Sequence, residues 1–292
     1  MRLKEDFETL SLVVAEVAPD QVFGDATLPN FTRLLVVAVD VLPENETIAR
    51  LLDLYDLEII TSPLRQIIGG DGRICKVKAE GGGPATGFLV GPDLVMTAAH
   101  VLRRTEGVFF PPESVELTFD YFTPTGDDLA TPTAVRLADD WLLAHSLAPM
   151  DDGRPPAPNE LDYLIVRIAA SLGSSATPSG SERRGWFDGS TAPVAPAVGQ
   201  TVSIRQHPNG YVLSEASGPV NKLVFDSTRV LYEATTFNSS SGSPVLDDAQ
   251  NVVALHLWND RFADDHKLLN EGATFAAIHA DLAAKGITLP AL

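Results

Sequence analysis

From about residue 70 onward, the chain is a succession of short apolar or alternating runs bounded by turn-forming residues. Residues 73–78 mostly alternate polar and apolar side chains, and 87–90 and 94–97 flank a Gly-Pro-Asp turn as a hairpin would. Further strand candidates are 115–121, 161–168, 201–205, 220–225, 229–233, 243–246 and 251–257. The 22 glycines and 21 prolines among 292 residues suit many turns. This pattern is typical of antiparallel barrels or a sandwich.

The first sixty residues carry a different pattern, because their apolar side chains recur at helical spacing. Stripes with three- and four-residue spacing begin at Leu10, Leu34 and Ile48. Three helices this short make a small bundle, so we predict a small helical domain or extension over residues 1–62. It would either dock a protein partner or cap the rest of the molecule by packing. A last helix is predicted over 275–286.

Charge and cysteine usage narrow the class of protein. The formal net charge of −18 disfavours nucleic acid and anionic membranes as partners, because an acidic surface repels phosphate. The single cysteine, Cys75, excludes an intrachain disulfide, which fits a reducing compartment. The first residues lack a basic stretch followed by an apolar core, and no apolar run is long enough to span a bilayer. We therefore expect a cytoplasmic protein, and no metal cluster or nucleotide-binding glycine motif indicates a cofactor.

Three segments carry the groups that acyl transfer by a serine requires: a base, an acid that orients it, and donors for the developing oxyanion. His100 follows the strand over 94–96 through Thr-Ala-Ala, and Asp162 heads an otherwise apolar strand. Ser241 lies in the small-residue segment Asn-Ser-Ser-Ser-Gly-Ser-Pro-Val, which leads into a strand. His100, Asp162 and Ser241 are therefore the candidate catalytic triad.

Each candidate has competitors. Five other histidines occur, but only His100 has both this strand approach and a place before the Asp and Ser segments. Aspartates 139, 140, 151 and 152 lie in polar stretches, where solvated carboxylates are expected. The serine run could be a flexible linker, yet linkers rarely continue straight into Gly-Ser-Pro-Val and a strand. That register selects Ser241 over Ser239 and Ser240.

The two catalytic segments resemble a known family. Residues 86–100, Thr-Gly-Phe-Leu-Val-Gly-Pro-Asp-Leu-Val-Met-Thr-Ala-Ala-His, are similar to the histidine block of bacterial trypsin-like and glutamyl-endopeptidase-like (V8-type) proteases. Residues 241–245, Ser-Gly-Ser-Pro-Val, resemble their nucleophile block. The segments 119–121, 140–142, 161–163, 184–186 and 206–210 resemble a narrower branch, the peptidases fused to a small helical effector-associated domain in bacterial conflict and defence systems. The resemblance covers residues 70–285 well and 1–60 loosely.

The resemblance implies a chymotrypsin-like double β-barrel, mainly β, within a protease domain over 66–292. Its six-stranded antiparallel barrels would span about 66–175 and 183–274, with the active site in the cleft between them. His100 would act as general base and then general acid, and Asp162 would fix its tautomer. The backbone N–H groups of Ser239 and Ser241 would form the oxyanion hole. The implied function is a regulated intracellular effector endopeptidase that cuts a protein or peptide substrate through an acyl-enzyme.

The sequence departs from the family at the oxyanion hole and in the specificity pocket. Ser239 stands where the family has glycine, which points to a slow or conditional enzyme. Thr235 replaces the carboxylate by which trypsin selects Arg or Lys. Thr236 and His256 instead match the spacing of glutamyl endopeptidases, and both side chains can donate hydrogen bonds to a substrate carboxylate. The alternative for His256 is that it only fills its apolar strand.

A second interpretation of the whole chain remains open. A catalytically impaired protease-like domain would keep the barrels as a binding module. Ser239 favours this alternative, and so does Trp258, which with Leu257 replaces the small glycine-rich stretch usual after that histidine.

Overall fold

The structure is a computed structural model that describes residues 8–12, 57–59, 71–105, 107–121, 132–149, 156–178, 183–191, 194–259 and 269–292. Residues 8–12 are helical (α1), and two further helices are α2 (Ala99–Leu102) and α3 (Phe275–Ala284). The strands are β1 (Leu57–Ile59), β2 (Ile74–Ala79), β3 (Pro84–Leu89), β4 (Leu94–Ala98), β5 (Arg103–Thr105), β6 (Val108–Phe109), β7 (Val115–Phe119), β8 (Thr133–Ser146), β9 (Tyr163–Ile168), β10 (Thr201–Gln206), β11 (Ser214–Val224), β12 (Arg229–Tyr232), β13 (Pro244–Leu246), β14 (Val252–Asn259) and β15 (Asn270–Thr274). Short 3₁₀ turns cover Asp71–Arg73, Pro112–Ser114, Leu172–Ser174 and Pro208–Gly210.

The strands form two antiparallel barrels. The first closes in the order β2-β3-β4-β9-β8-β7. The second runs β11-β10-β13-β14-β15-β12 and closes where β11 pairs with β12. β1 adds to β11, with Leu57 opposite Ala216. The predicted mainly-β fold with two six-stranded barrels and a C-terminal helix is therefore confirmed.

The hairpin of β3 and β4 shows how local sequence sets the first barrel. The Gly-Pro-Asp turn separates them, and Phe88 pairs with Met96. Both strands are almost wholly buried, since they pack against the barrel interior on one side and the second barrel on the other. One buried apolar cluster joins Phe88 and Tyr163 of the first barrel to Leu255 and Phe275. This shared core holds the two barrels against each other.

Two of the barrel strands are not among the strands that the sequence predicts. β8 has charged residues at 136, 139 and 140, and its register shifts twice against β9, so its burial follows no simple alternation. β15 reads Asn-Glu-Gly-Ala-Thr, which has low strand propensity, yet all five residues are buried. In both cases pairing with neighbouring strands outweighs the local sequence preference.

Part of the predicted organisation falls on residues that the structure does not describe. Leu10 is buried, but the helical stripes that begin at Leu34 and Ile48 lie outside the described residues, as do positions 151 and 152. The boundaries at 1–62, 66–175 and 183–274 stay predictions. Within the described part of the chain, no helix has the length and apolar character needed to cross a membrane.

Candidate active site

His100 and Asp162 lie side by side because the strands that carry them are paired. The last residue of β4, Ala98, is opposite Tyr163, the first residue of β9. His100 Nδ1 is 2.7 Å from Asp162 Oδ2, and the His100 backbone N–H donates to Asp162 Oδ1 at 3.0 Å. Asp162 is fully buried, whereas the His100 side chain is 15% exposed. A carboxylate only accepts hydrogen bonds, so the His100 proton is on Nδ1 and Nε2 is left as the base.

The backbone of Asp162 is also held in place. Its φ is +58°, in the left-handed region that Asp tolerates better than most residues. Its carbonyl accepts a hydrogen bond from the Ala99 N–H at 3.0 Å. Asp162 thus makes three hydrogen bonds to the first turn after β4, which fixes the imidazole relative to the barrel edge.

The Ser241 loop lies between the two barrels. The Thr86 N–H of β3 donates to the Ser241 carbonyl at 3.0 Å, and the Gly242 N–H donates to the His256 carbonyl of β14 at 2.8 Å. Gly242 has φ +87°, and a Cβ built there would be 2.1 Å from the Thr86 carbonyl oxygen. Only glycine can therefore follow Ser241 in this loop.

The hydroxyl of Ser241 does not contact His100 in this structure. Ser241 Oγ donates instead to the Leu257 carbonyl at 2.7 Å. The next residue, Trp258, stacks its indole on the His100 imidazole, with centroids 4.3 Å apart and planes at 18°. Consecutive residues of β14 thus contact the serine hydroxyl and the imidazole, so the structure brings all three candidate triad residues to one cleft.

Two backbone N–H groups near Ser241 have no hydrogen-bond partner. In the described part of the chain, neither the Ser239 nor the Ser241 N–H donates a hydrogen bond within the protein. Ser239 has φ +78°, while its carbonyl accepts from Thr86 Oγ1 at 3.0 Å. The serine that stands in place of the family's glycine therefore has a left-handed backbone conformation. In this conformation a side chain lowers the stability of the fold by about 1 kcal/mol.

Ser240 anchors the inner side of the same loop. It is completely buried, and its hydroxyl bonds to the side chain of Gln206 and to the Phe237 carbonyl. Gln206 in turn donates to the Thr235 carbonyl at 2.8 Å. The nucleophile loop is thus supported by neutral hydrogen bonds.

His256 is a buried, neutral imidazole behind the serine loop. Its Nδ1 is 2.7 Å from the Tyr232 hydroxyl. Burial, together with the charge of His100, lowers the pKa of His256 to about 3. Burial also raises the pKa of Tyr232, which therefore keeps its proton and donates it to Nδ1. The proton of His256 is consequently on Nε2, which bonds to no other described residue.

Thr236 belongs to the same group of polar side chains. Its hydroxyl donates to Asn270 Oδ1 at 2.6 Å, and Asn270 Nδ2 donates to the Ala234 carbonyl at 2.7 Å. Asn270 pairs with Tyr232 across β15 and β12. The sequence does not reveal Tyr232 and Asn270, since nothing in a strand pattern marks a buried tyrosine or asparagine as a partner of His256 or Thr236.

Two buried charged residues near Asp162 are also not predicted from the sequence. Arg229 and Glu271 are 1% and 2% exposed, and Arg229 Nε donates to Glu271 Oε1 at 2.9 Å. Neither lies in a catalytic segment, so the sequence carries no signal for them. No group of His, Cys, Asp or Glu among the described residues is arranged to hold a metal ion.

The double-barrel fold is that of the trypsin-like peptidases as a class of protein. The family model of the trypsin-like peptidase domain matches residues 85–255, which is more than half of the chain. The chain belongs to this family.

Two curated relatives share part of their length with this chain. The protein y4fB of Sinorhizobium fredii is 31% identical over 180 residues, covering 59% of this chain and 24% of that protein. A protein of Lysobacter enzymogenes, named as a probable serine protease, is 29% identical over 224 residues, covering 69% of this chain and 32% of that protein. The chain thus spans about a quarter to a third of the length of these relatives.

Solved structures share the fold. A Glu endopeptidase in complex with MPD superposes with a TM-score of 0.56 at 18% identity, covering 79% of this chain and 96% of that one. A serine endoprotease from Yersinia pestis gives 0.51 at 11% identity, covering 78% and 67%. The inactivated protease paralogue S-D1 of the scabies mite gives 0.52 at 11% identity, covering 76% and 96%. At these identities the likeness concerns the fold alone.

Proposed function

We propose that the chain hydrolyses peptide bonds with His100, Asp162 and Ser241 as its catalytic triad. The observation that carries this proposal is the 2.7 Å bond between His100 Nδ1 and the buried carboxylate of Asp162, in the cleft that also holds Ser241. This bond orients the imidazole, leaves Nε2 to accept a proton and favours the imidazolium that forms during acylation. Trypsin-like family membership supports the same reaction class.

The reaction requires Ser241 Oγ to leave the Leu257 carbonyl by rotation about its Cα–Cβ bond. Oγ then attacks the substrate carbonyl carbon while its proton passes to His100 Nε2. The peptide C–N bond breaks as the leaving amine takes that proton from His100. Water, deprotonated by the same imidazole, then hydrolyses the acyl-enzyme and returns the proton to Ser241.

The free N–H groups of Ser239 and Ser241 are the proposed oxyanion donors. Both are backbone groups of the loop that carries the nucleophile, and neither is taken up by another hydrogen bond in the described residues. Donors of this kind stabilise the negative charge that develops on the substrate oxygen.

We further propose that the enzyme prefers an acidic residue before the scissile bond. The Tyr232 hydroxyl fixes the tautomer of His256, so that Nε2–H is available to a substrate carboxylate. Thr236 would act beside it, once its hydroxyl turned from Asn270 to the substrate. A single neutral donor also suits an uncharged amide, so a comparison of Glu and Gln substrates tests the preference.

A peptide library assay tests the proposed function. Wild-type protein is expected to cleave peptides after Glu or Asp, with matched Gln and Asn peptides cleaved more slowly. Ser241→Ala is the matched control, because it removes one oxygen from a residue that is already partly buried. Cleavage that persists in Ser241→Ala would exclude this serine as nucleophile.

The second candidate function is that of a catalytically impaired binding module. It is favoured by the hydrogen bond of Ser241 to Leu257, the stacking of Trp258 on His100 and the side chain at Ser239. Such a module would bind peptides in the cleft and release them uncut. Peptide binding to wild-type protein without any product would favour it.

The cellular role is a further proposal, that of a regulated cytoplasmic effector protease in a bacterial defence or signalling system. The predicted helical region over 1–62 would receive the regulatory protein partner. Its end is tied to the protease domain, since β1 pairs with β11 of the second barrel. Removal of residues 1–56, which keeps β1, is expected to leave peptide hydrolysis intact and to abolish its regulation.

A further inference from the structure

Arg229 of the second barrel reaches across to the loop that presents Asp162. Its Nε donates to Glu271 Oε1 at 2.9 Å on the neighbouring strand β15. Its Nη2 donates to the backbone carbonyl of Glu160, two residues before Asp162. The guanidinium therefore joins β12 and β15 of the second barrel to the entry of β9 in the first.

A side chain of the first barrel also holds the loop before Asp162. Ser146 Oγ donates to the Asn159 carbonyl at 2.6 Å and accepts from the Leu161 N–H at 2.9 Å. Together with the bond from Arg229 to Glu160, this fixes residues 159–161 from two sides. Asp162, whose φ is positive, is the next residue in the chain.

Arg229 is also an electrostatic partner of Asp162. Burial lowers the pKa of Arg229, and the carboxylates of Glu271 and then Asp162 oppose this. The attraction between the guanidinium and Asp162 is mutual, so it adds to the hydrogen bonds that hold this residue in place. Among the described residues, the charged and titratable groups that interact with Arg229 or His100 include Glu271 on β15, His256 on β14 and Glu160 in the preceding loop.

A contribution to the stability of the fold does not by itself explain why Arg229 and Glu271 form a buried ion pair. A buried ion pair costs desolvation that often cancels its attraction, and apolar replacement of both partners is frequently neutral or stabilising. The arrangement is better explained by what the guanidinium orients. It donates hydrogen bonds to the Glu271 carboxylate and to the backbone carbonyls of Thr228 and Glu160, and it attracts the carboxylate of Asp162.

We propose that Arg229 and Glu271, with the Glu160 carbonyl, form a clasp between the barrels that positions Asp162 for its bond to His100. We call this group the inter-barrel clasp. Arg229 and Glu271 are positioning residues, since they touch neither the nucleophile nor the proposed substrate site. The inference rests on the proposed function for its catalytic consequence, whereas its structural part concerns the His100–Asp162 bond alone.

The test replaces both charges at once, by Arg229→Met combined with Glu271→Leu, so that no unpaired ion is left buried. The expected variant keeps the wild-type melting temperature within a few degrees but loses between about ten- and 100-fold in kcat, with KM little changed. In the NMR spectrum, the His100 Nδ1 proton should exchange faster with water, because a less firmly held Asp162 weakens the hydrogen bond that protects this proton.

A matched control removes another buried pair that joins distant parts of the chain. The side chains of Arg184 and Asp120 are 1% and 0% exposed and are linked by bonds of 2.6 and 2.8 Å. Their other side-chain hydrogen bonds join them to Gly72 and Thr133, away from the triad residues. Arg184→Met combined with Asp120→Asn should leave both kcat and the His100 proton unchanged in the folded protein. Asparagine is chosen because position 120 has φ +61°.

Arg229→Lys covers the case in which the double variant does not fold. Lysine keeps the charge, but its single ammonium cannot bridge Glu271 and the Glu160 carbonyl as a planar fork does. A several-fold loss of kcat with faster exchange of the His100 proton would support the clasp. Wild-type kcat together with a wild-type His100 proton, in either folded variant, would overturn it. If wild-type protein cleaves nothing but its His100 proton still responds to the variants, the clasp stands and the proposed function fails.

Discussion

The two halves of the candidate active site are built in different ways. The His100–Asp162 half rests on paired strands, β4 and β9, and its hydrogen bonds are already formed in the structure. The Ser241 half rests on a loop, where Ser239 and Gly242 both have positive φ and the serine hydroxyl bonds to Leu257. The strand-built half is ready for proton transfer, whereas the loop-built half must rearrange before it can attack a substrate.

Under the proposed function, this difference indicates where the catalytic rate would be controlled. Strand pairing fixes the base and its carboxylate through many backbone hydrogen bonds, which single surface substitutions barely affect. The loop depends on two backbone conformations that glycine adopts freely, and only one of the two positions is a glycine. We therefore expect variants of His100 and Asp162 to destroy activity and variants of the loop residues around Ser241 to tune it.

Asp162→Asn should have the largest effect. An amide in place of the carboxylate would favour the wrong imidazole tautomer, and the corresponding change in a chymotrypsin-type triad lowers kcat by about 10⁴. The melting temperature should stay close to that of the wild type, because asparagine has nearly the same size as aspartate. Steady-state hydrolysis of a peptide substrate measures this. A loss below about tenfold would show that the strand-built half does not carry catalysis.

Gly242→Ala should have the next largest effect, on stability. The added Cβ would lie 2.1 Å from the Thr86 carbonyl and 2.3 Å from Thr97 Oγ1, so the loop must separate from β3. Overpacking with a strained backbone costs about 3 kcal/mol. Urea denaturation measures the loss, and Gly199→Ala is the matched control, since it also has positive φ but nothing within 4 Å of its added Cβ. Equal losses in both variants would attribute the effect to φ alone.

The pH dependence of stability should come from buried neutral histidines on the loop-built side. The pKa of both His207 and His256 is lowered to about 3, mainly by burial. In the unfolded chain each would titrate near 6.5, so the unfolded state binds more protons between these values. Their contribution is complete above about pH 6.5 and is lost as the pH falls toward about 3. Denaturation midpoints measured from about pH 7 to about pH 4 should decline, and His207→Gln should flatten that decline.

Ser239→Gly should have the smallest effect and the opposite sign. Glycine removes the cost of a side chain at φ +78°, which amounts to about 1 kcal/mol of stability. It also lets the peptide that joins residues 238 and 239 turn its N–H toward the oxyanion, so kcat should rise about tenfold if this donor is poorly aligned in the wild type. Turnover numbers and melting temperatures measure the two effects. No gain in turnover would show that the serine leaves the oxyanion hole intact.

The short alternating runs and turn residues after residue 70 are sufficient to predict antiparallel barrels or a sandwich, whereas the double barrel is implied by the family resemblance. The hairpin of β3 and β4 lies as predicted around its Gly-Pro-Asp turn. β8 and β15 escape prediction, since their strand character comes from pairing with neighbours and not from apolar alternation. A local pattern cannot reveal a strand whose stabilising contacts are made elsewhere in the chain.

The candidate site also contains both residues that the sequence predicts and residues that it does not. The candidate triad residues can be selected from short motifs, and the structure places them in one cleft. The partners of those residues cannot be selected, because Tyr232, Arg229 and Glu271 reach His256 and Asp162 only through the closure of the second barrel. The left-handed conformation of Ser239 likewise cannot be predicted from the sequence. The comparison with the family shows only that position 239 has serine in place of glycine.

The rate at which a fluorophosphonate probe labels Ser241 tests the central claim most directly. The probe reacts only with a serine hydroxyl that an imidazole can deprotonate, so it requires Ser241 Oγ to leave Leu257 and reach His100. We expect covalent labelling of wild-type protein, much slower labelling of Asp162→Asn and none of Ser241→Ala. Wild-type protein that is folded yet stays unlabelled would contradict the assignment of His100, Asp162 and Ser241 as a working triad.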